Sequence, residues 1–443
     1  MPAQDLAQST FRVKRETSMD MTTPIRPQSW AFLLSARASF VLRRDNMKSV
    51  LLALILLLIP IAPIAAQDGN LTDGCITDFD ATVDYFPQKA EVIDAGNLTV
   101  SYHGHYKLVR VGNAFDGAPA FDYVLVQCGA PAPPAEDFAD NAQFIEVPAG
   151  RLIALSTTQL PALSLLGVID HLVAVDSGFY ISTPEVVEAI ATGEIAEVGF
   201  GAQVNIELAL ELAPDLVLSY GFNPDTDAHP ILLEAGIFTA LDASWRENSP
   251  LGRAEWLKLP ALFYNQEARA DEIYAGIRTE YQALRELAAS IPDEEQPNVL
   301  LNSFLSYADA WYSPGADTYV GQLIHDAGAD LALPSDDPAG SQPYSFEAAY
   351  AEGWEADIWL LETFGVQTAA DLLALDSRFA DFAAFQSGAI WNNNRDENPN
   401  GGNNYYEWGV VSPHLVLADL LAIFHPQLLP EHEFSYYQRL SAA

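Results

Sequence analysis

Residues 265–290 read NQEARADEIYAGIRTEYQALRELAAS. Ile273, Ile277, Tyr281, Leu284 and Ala288 recur at spacings of three and four, a single apolar stripe on an otherwise charged helix. Asn265 is the expected N-cap, with Glu267 in the first turn and Pro292 just past the end. About 25 residues at a rise of 1.5 Å give a rod of roughly 37 Å. The sequence on each side of it has the grammar of a separate α/β unit. The expected fold is therefore α/β: two lobes with parallel sheets flanked by helices, bridged by this one long helix.

On the N-terminal side, apolar strands at Arg151–Leu155, Leu172–Val175, Leu216–Ser219 and Ile237–Leu241 alternate with helical segments, the pattern of a sheet covered on both faces. Ser249-Pro250 starts a helix carrying Trp256 and Leu257, which Pro260 should kink before the rod begins. On the C-terminal side the grammar restarts with Val299–Asn302, Ile358–Leu361 and Ile390-Trp391, and closes with an amphipathic helix, Pro413–Phe424. Ahead of both lobes lies a β-rich extension with strands at Leu98–His103, Tyr106–Val111 and Tyr123–Gln127, followed by a Pro/Ala run from Ala130 to Ala135 that reads as a linker. The expected boundaries are 1–66 for a leader, 67–148 for the extension, 149–248 for the first lobe, 249–291 for the linking helices and 292–443 for the second lobe.

Met47-Lys48 followed by VLLALILLLIPIAPIAA has the form of a secretory signal, with cleavage expected after Ala66 and translation starting at Met47. A long twin-arginine leader containing Arg43-Arg44 is the rival reading. The chain has 443 residues, 21 Lys+Arg against 60 Asp+Glu and a formal charge of −39, which repels nucleic acid and anionic lipid. The two cysteines, Cys75 and Cys128, both fall in the exported part, where a disulfide between them is the simple expectation.

The loops that follow the strands of a parallel sheet face a ligand. In the first lobe these loops carry Thr157, Thr158, Phe179, Tyr180, Phe200, Tyr220 and Phe222; in the second they carry Trp311, Tyr312, Phe364, Trp391, Arg395, Tyr405, Tyr406 and Trp408. Aromatics among amides and hydroxyls make a surface that grips a bulky ligand by stacking and hydrogen bonding. Arg395 is the first candidate to meet an anionic group, with Arg246 and Arg253 behind it. No nucleophile elbow, phosphate loop or zinc-protease motif is present, so no catalytic residue is assigned. His103 and His105 lack a third ligand and read as ordinary surface, so no metal site is assigned either. No cofactor is expected. A secreted carbohydrate hydrolase using paired acids remains an alternative at this point, as does a ligand-binding sensor domain.

From Gly150 to Pro430 the chain resembles the substrate-binding proteins of ABC importers for ferric siderophores, haem and cobalamin. The resemblance is carried by RLIALSTTQLPALSLLGVIDHLVAVD (151–176), EVGFGAQVNIELALELAPDLVLS (197–219), TYVGQLIHDAGAD (318–330) and YSFEAAYAEGWEADIWLL (344–361), in that order around a long helix. It implies a ligand clamped between two lobes with little hinge motion, no chemistry, a location outside the cytoplasm, and an ABC permease with its ATPase as partner. It also implies one Glu on each lobe that docks on the permease; the matching positions are Glu207 and Glu347. Phe200 and Tyr344 fall near places where cobalamin binders put aromatics. The expected ligand is a small metal chelate, first a ferric siderophore and alternatively cobalamin or haem, and the expected state is a monomer. The front extension and the long Trp391–Trp408 loop depart from the simplest members of that class.

Overall fold

The computed structural model describes residues 69–441; the leader, its start at Met47 and the cleavage at Ala66 lie outside the described residues. The front extension is a four-stranded sheet in the order β1 (Leu98–Tyr102), β2 (Tyr106–Val111), β3 (Phe121–Gln127), β4 (Gln143–Val147). The first three strands pair antiparallel, whereas β4 returns after the Pro/Ala run to lie parallel to β3. That last strand was not anticipated from the sequence. Cys75 and Cys128 are joined in a disulfide that ties the start of this module to the end of β3.

In the first lobe the sheet order is β7 (Ala196–Glu197), β6 (Leu172–Val175), β5 (Leu152–Ala154), β8 (Leu216–Tyr220), β9 (Thr239–Asp242), parallel throughout. The second lobe repeats the plan with β12 (Asp330–Leu331), β10 (Asn298–Leu301), β14 (Ile358–Leu361), β15 (Ile390–Asn392) and an antiparallel edge strand, β16 (Gln438–Arg439). A small ribbon of β11 (Trp311–Pro314) and β13 (Ser341–Tyr344) stands beside it.

The bridging helix runs Glu267–Ala288. Tyr274, Ile277, Tyr281 and Ala288 are buried along it, while Ile273 and Leu284 sit at the margin of the stripe. The break ahead of it falls at Trp256-Leu257, between the helices Pro250–Glu255 and Lys258–Phe263, and Pro260 occupies the first turn of the second, where its missing N–H is harmless. Asn265 is not the N-cap. It takes a left-handed φ of 55°, and its amide bonds outward, donating to Leu71 O and accepting from Lys107 Nζ at 2.7 Å.

That detour exposes how the front module is attached. Lys107 on β2, fully buried, also donates to Glu267 Oε1 at 2.6 Å, while Asn70 Nδ2 donates to Glu267 Oε2 at 2.7 Å. Buried Glu255 receives the backbone N–H groups of Ile93, Asp94 and Ala95 and pairs with Lys258 at 2.9 Å. Tyr123 on β3 accepts from Leu241 N, and the Gln143 side chain exchanges hydrogen bonds with the Thr239 backbone, so β9 is bonded to both its own lobe and the module. A group left unpaired in such surroundings costs more than the bond itself contributes, which makes these contacts mutually dependent.

Candidate functional site

Five loops at the C-terminal ends of β5 to β9 converge on one face of the first lobe. Ser156 after β5 caps the next turn through the Thr158 N–H, and its hydroxyl meets Thr158 Oγ1 at 2.8 Å. After β6 come Asp176 and the edge-on pair Phe179–Tyr180; after β7, Phe200; after β8, Tyr220 and Phe222; after β9, Asp242, Ser244 and Trp245. A cavity of ≈ 320 Å³ is lined by Thr158, Gln159, Tyr220, Phe222, Asp242 and Trp245, with Arg253 from the linking helix and Tyr406 and Val410 from the second lobe. A second, of ≈ 500 Å³, adjoins it at Tyr220 and takes in Thr157, Asp176, Phe179, Tyr180 and Phe200. Phe179, Tyr180, Phe200 and Phe222 keep 51%, 57%, 62% and 67% of their surface open, so their ring faces are free to stack on a ligand.

Charge at the floor is mixed. Arg253 lies over the Tyr319 ring at 4.0 Å and gives Nη2 to the carbonyls of Trp245 and Glu247, while its buried Nε has no partner. Burial pulls this guanidinium below its ordinary value. Asp242 and Asp176 are pushed up by burial, opposed by hydrogen bonds from Ser244 and Ser177 respectively. On the second lobe Glu362 is also pushed up by burial; Tyr406 reaches its Oε2 at 3.5 Å, and Oε1 is unpartnered. Among the described residues no group of three or more His, Cys, Asp or Glu is placed to hold a metal ion.

The family model for the periplasmic binding proteins matches residues 152–392, more than half of the chain and both lobes. The chain belongs to the periplasmic binding protein family. Members are solute-binding proteins of ABC importers: they bind small ligands outside the cytoplasm and work with a permease and its ATPase. They are binding proteins and not enzymes, which removes the hydrolase reading. An uncharacterized lipoprotein of Methanocaldococcus jannaschii is 24% identical over 326 residues, covering 72% of this chain and 80% of that one. A second lipoprotein of the same organism is 24% identical over 346 residues, covering 75% and 78%. A solved periplasmic binding protein from Veillonella parvula superposes with a TM-score of 0.50 at 12% identity over 70% of this chain and 96% of that one, a likeness of fold.

Within this binding protein the sequence-predicted residues divide. Thr157, Thr158, Phe179, Tyr180, Phe200, Tyr220, Phe222 and Tyr406 line the two cavities. Phe364 is open to solvent with its ring on Gly401, while Tyr312 and Tyr344 stand on the β11–β13 ribbon outside the cavity lining. Trp311 is a correction: it is fully buried, stacks on Trp359 at 5.7 Å and donates to Leu301 O. Tyr405 is buried among Tyr436, Tyr437 and the C-terminal helix, and Trp391 packs on Phe434; neither lines either cavity. Arg395 is exposed and lines neither cavity, so the cleft cation is Arg253. Glu207 and Glu347 are both exposed in the first turns of helices capped by Asn205 and Ser345, and Glu347 has Arg378 at 3.8 Å.

Besides Ser156, Gln159, Asp176, Ser177 and Val410 of the cavity linings, four contributors were not foreseen. Asp242, Ser244 and Trp245 follow the fifth strand of the lobe, a loop that the strand reading could have supplied. Glu407 is the fourth. It is buried and accepts from Ser182 N at 2.8 Å, Thr183 N at 2.7 Å and Thr183 Oγ1, so a carboxylate of the second lobe closes the N-terminus of the first-lobe helix Pro184–Thr192. Trp408 Nε1 adds a bond to Thr183 Oγ1 at 3.1 Å, Asn398 Nδ2 one to Ile181 O at 3.1 Å, and Gly402 lies where any Cβ would strike Tyr180 O. The long Asn/Gly loop is therefore a latch between the lobes beside the ligand cavities.

Proposed function

We propose that this binding protein captures an iron chelate, a ferric siderophore of neutral or cationic charge, in the inter-lobe cleft. The observation that carries the reading is the composition of the cleft: open aromatic faces, with Asp176 and Asp242 set against the one guanidinium of the lining, Arg253. A polyanionic catecholate meets two carboxyl groups and a single guanidinium there and is disfavoured, whereas a trihydroxamate chelate or a corrinoid offers apolar faces and amide groups to rings and hydroxyls. The loaded protein, a monomer, docks on its permease through Glu207 and Glu347, whose exposed carboxylates suit bidentate arginine partners. Export with cleavage after Ala66 delivers it to that site. No cofactor takes part.

Tryptophan fluorescence titration tests this, because Trp245 lines the cavity. Ferrioxamine B, ferrichrome, ferric enterobactin, haem and cyanocobalamin are titrated separately. Saturable quenching by one of the two hydroxamate chelates, and none by the catecholate, is expected. Quenching by cyanocobalamin alone moves the assignment to a corrinoid, and no response to any probe overturns the chelate reading.

A further inference from the structure

The front module lies outside residues 152–392, yet it reaches the wall of the cleft. The β2–β3 connection lays Phe115 against Gly221 so closely that a Cβ there would lie 2.8 Å from the Phe115 ring and 3.1 Å from Ala114 O. Gly221 is the residue between Tyr220 and Phe222, both cavity-lining. From the same connection Asp116 pairs with Arg246 at 2.8 Å and Asn113 Oδ1 accepts from it at 3.2 Å. Arg246 lies over the Trp245 ring at 5.0 Å, Trp245 Nε1 donates to Gly221 O at 2.9 Å, and Trp245 packs on Phe222 at 5.7 Å. One residue further, Glu247 accepts the module's Gly96 and Asn97 backbone N–H groups at 3.1 and 2.9 Å.

The segment that carries Trp245 is thus held from two sides by a module that lines no part of either cavity. From these contacts we infer that the front module is a positioning element of the binding site, with Asn113, Phe115 and Asp116 fixing the Trp245–Phe222 wall. The inference rests on the cleft being the ligand site, as argued above. A planar indole wall grips a ligand face only at one orientation, and the indole of Trp245 has a single hydrogen bond, the one to Gly221 O, whose own position depends on Phe115. The module replaces what a longer loop of the first lobe would otherwise have to supply.

The test uses the full exported chain with two variants, Asn113→Gly/Asp116→Ala and Phe115→Ala, and with ferrioxamine B and cyanocobalamin as probes. Asn113 and Asp116 are both exposed, and glycine accepts the left-handed φ of 49° at position 113, so the double variant leaves the fold intact. An exposed ion pair is a modest lever, so the double variant should weaken binding about two- to five-fold, with Phe115→Ala about ten-fold weaker. The emission of Trp245, taken as the difference between each protein and its Trp245→Phe counterpart, should shift to the red in both variants while the melting temperature of the double variant stays put. The conservative Asp116→Glu, which keeps a carboxylate for Arg246, should leave the emission close to that of the wild type. Unchanged affinity together with unchanged Trp245 emission overturns the inference. If the wild-type protein binds neither probe, the chelate and corrinoid reading fails instead, and the emission shift alone then decides whether the module holds the wall.

Discussion

Replacing Lys107 by Met removes the ammonium from a site with no access to water while keeping most of the side-chain stem. Glu267 then keeps only the Asn70 amide at 2.7 Å, and Asn265 Oδ1 and Leu262 O lose their donor. Breaking a buried ion pair from one side costs about 3–5 kcal/mol, most of it the penalty of the stranded charge. The two orphaned acceptors add to this less than their separate values, since all three share one donor, and about 4 kcal/mol is expected in total. Removing the stranded charge as well, in Lys107→Met/Glu267→Gln, should bring stability back to within roughly 2 kcal/mol of wild type. Urea unfolding followed by tryptophan fluorescence gives both numbers from one set of curves. A single variant that loses less than about 1 kcal/mol, or a double variant no better than the single, would show that the pair is not the anchor described here.

Three further outcomes follow from particular residues. Gly276 lies mid-helix on the bridge with nothing within 4 Å of a Cβ and no left-handed φ, so Gly276→Ala should raise stability by up to about 1 kcal/mol, read as a higher urea midpoint. Glu362 has its carboxyl raised by burial, so its contribution to stability is present below the unfolded value near 4.5 and is lost as pH rises through the folded value. Glu362→Gln should therefore stabilise the protein at pH 8 and make little difference at pH 4, and a difference independent of pH refutes this. Glu407→Ala strands two backbone N–H groups and a hydroxyl, each worth about 1–3 kcal/mol if kept dry; solvent admitted as the lobes part will soften that sum, so the clearer sign is faster hydrogen exchange at Ser182 and Thr183.

The two parallel-sheet lobes were legible because buried strands such as Leu216–Ser219 are continuously apolar and short, and the helices between them are amphipathic. The bridge was legible for the same reason, but its start was not. Asn265 has the chemistry of an N-cap and is drawn away by Lys107 and Leu71, partners more than 150 residues distant in the chain. Trp311 and Tyr405 look alike with Tyr312 and Tyr406 in composition. What separates them is local geometry: alternation on β11 turns Trp311 inward and Tyr312 outward, and the short helix Asn404–Glu407 does the same for its two tyrosines. Glu407 left one faint signal. Thr183-Pro184 is a helix start whose hydroxyl makes no cap of its own, because it donates across the cleft.

The latch has a consequence for traffic at the membrane. Tied by a 22-residue helix and again by Glu407, the lobes should keep nearly the same separation with the cleft full or empty. On the docking proposed above, Glu207 and Glu347 would then present the same spacing in both states, and an unloaded molecule would compete with a loaded one for the same permease. Import should accordingly fall when the empty protein is in large excess, and the permease must detect cargo at the cleft mouth instead of by the distance between lobes.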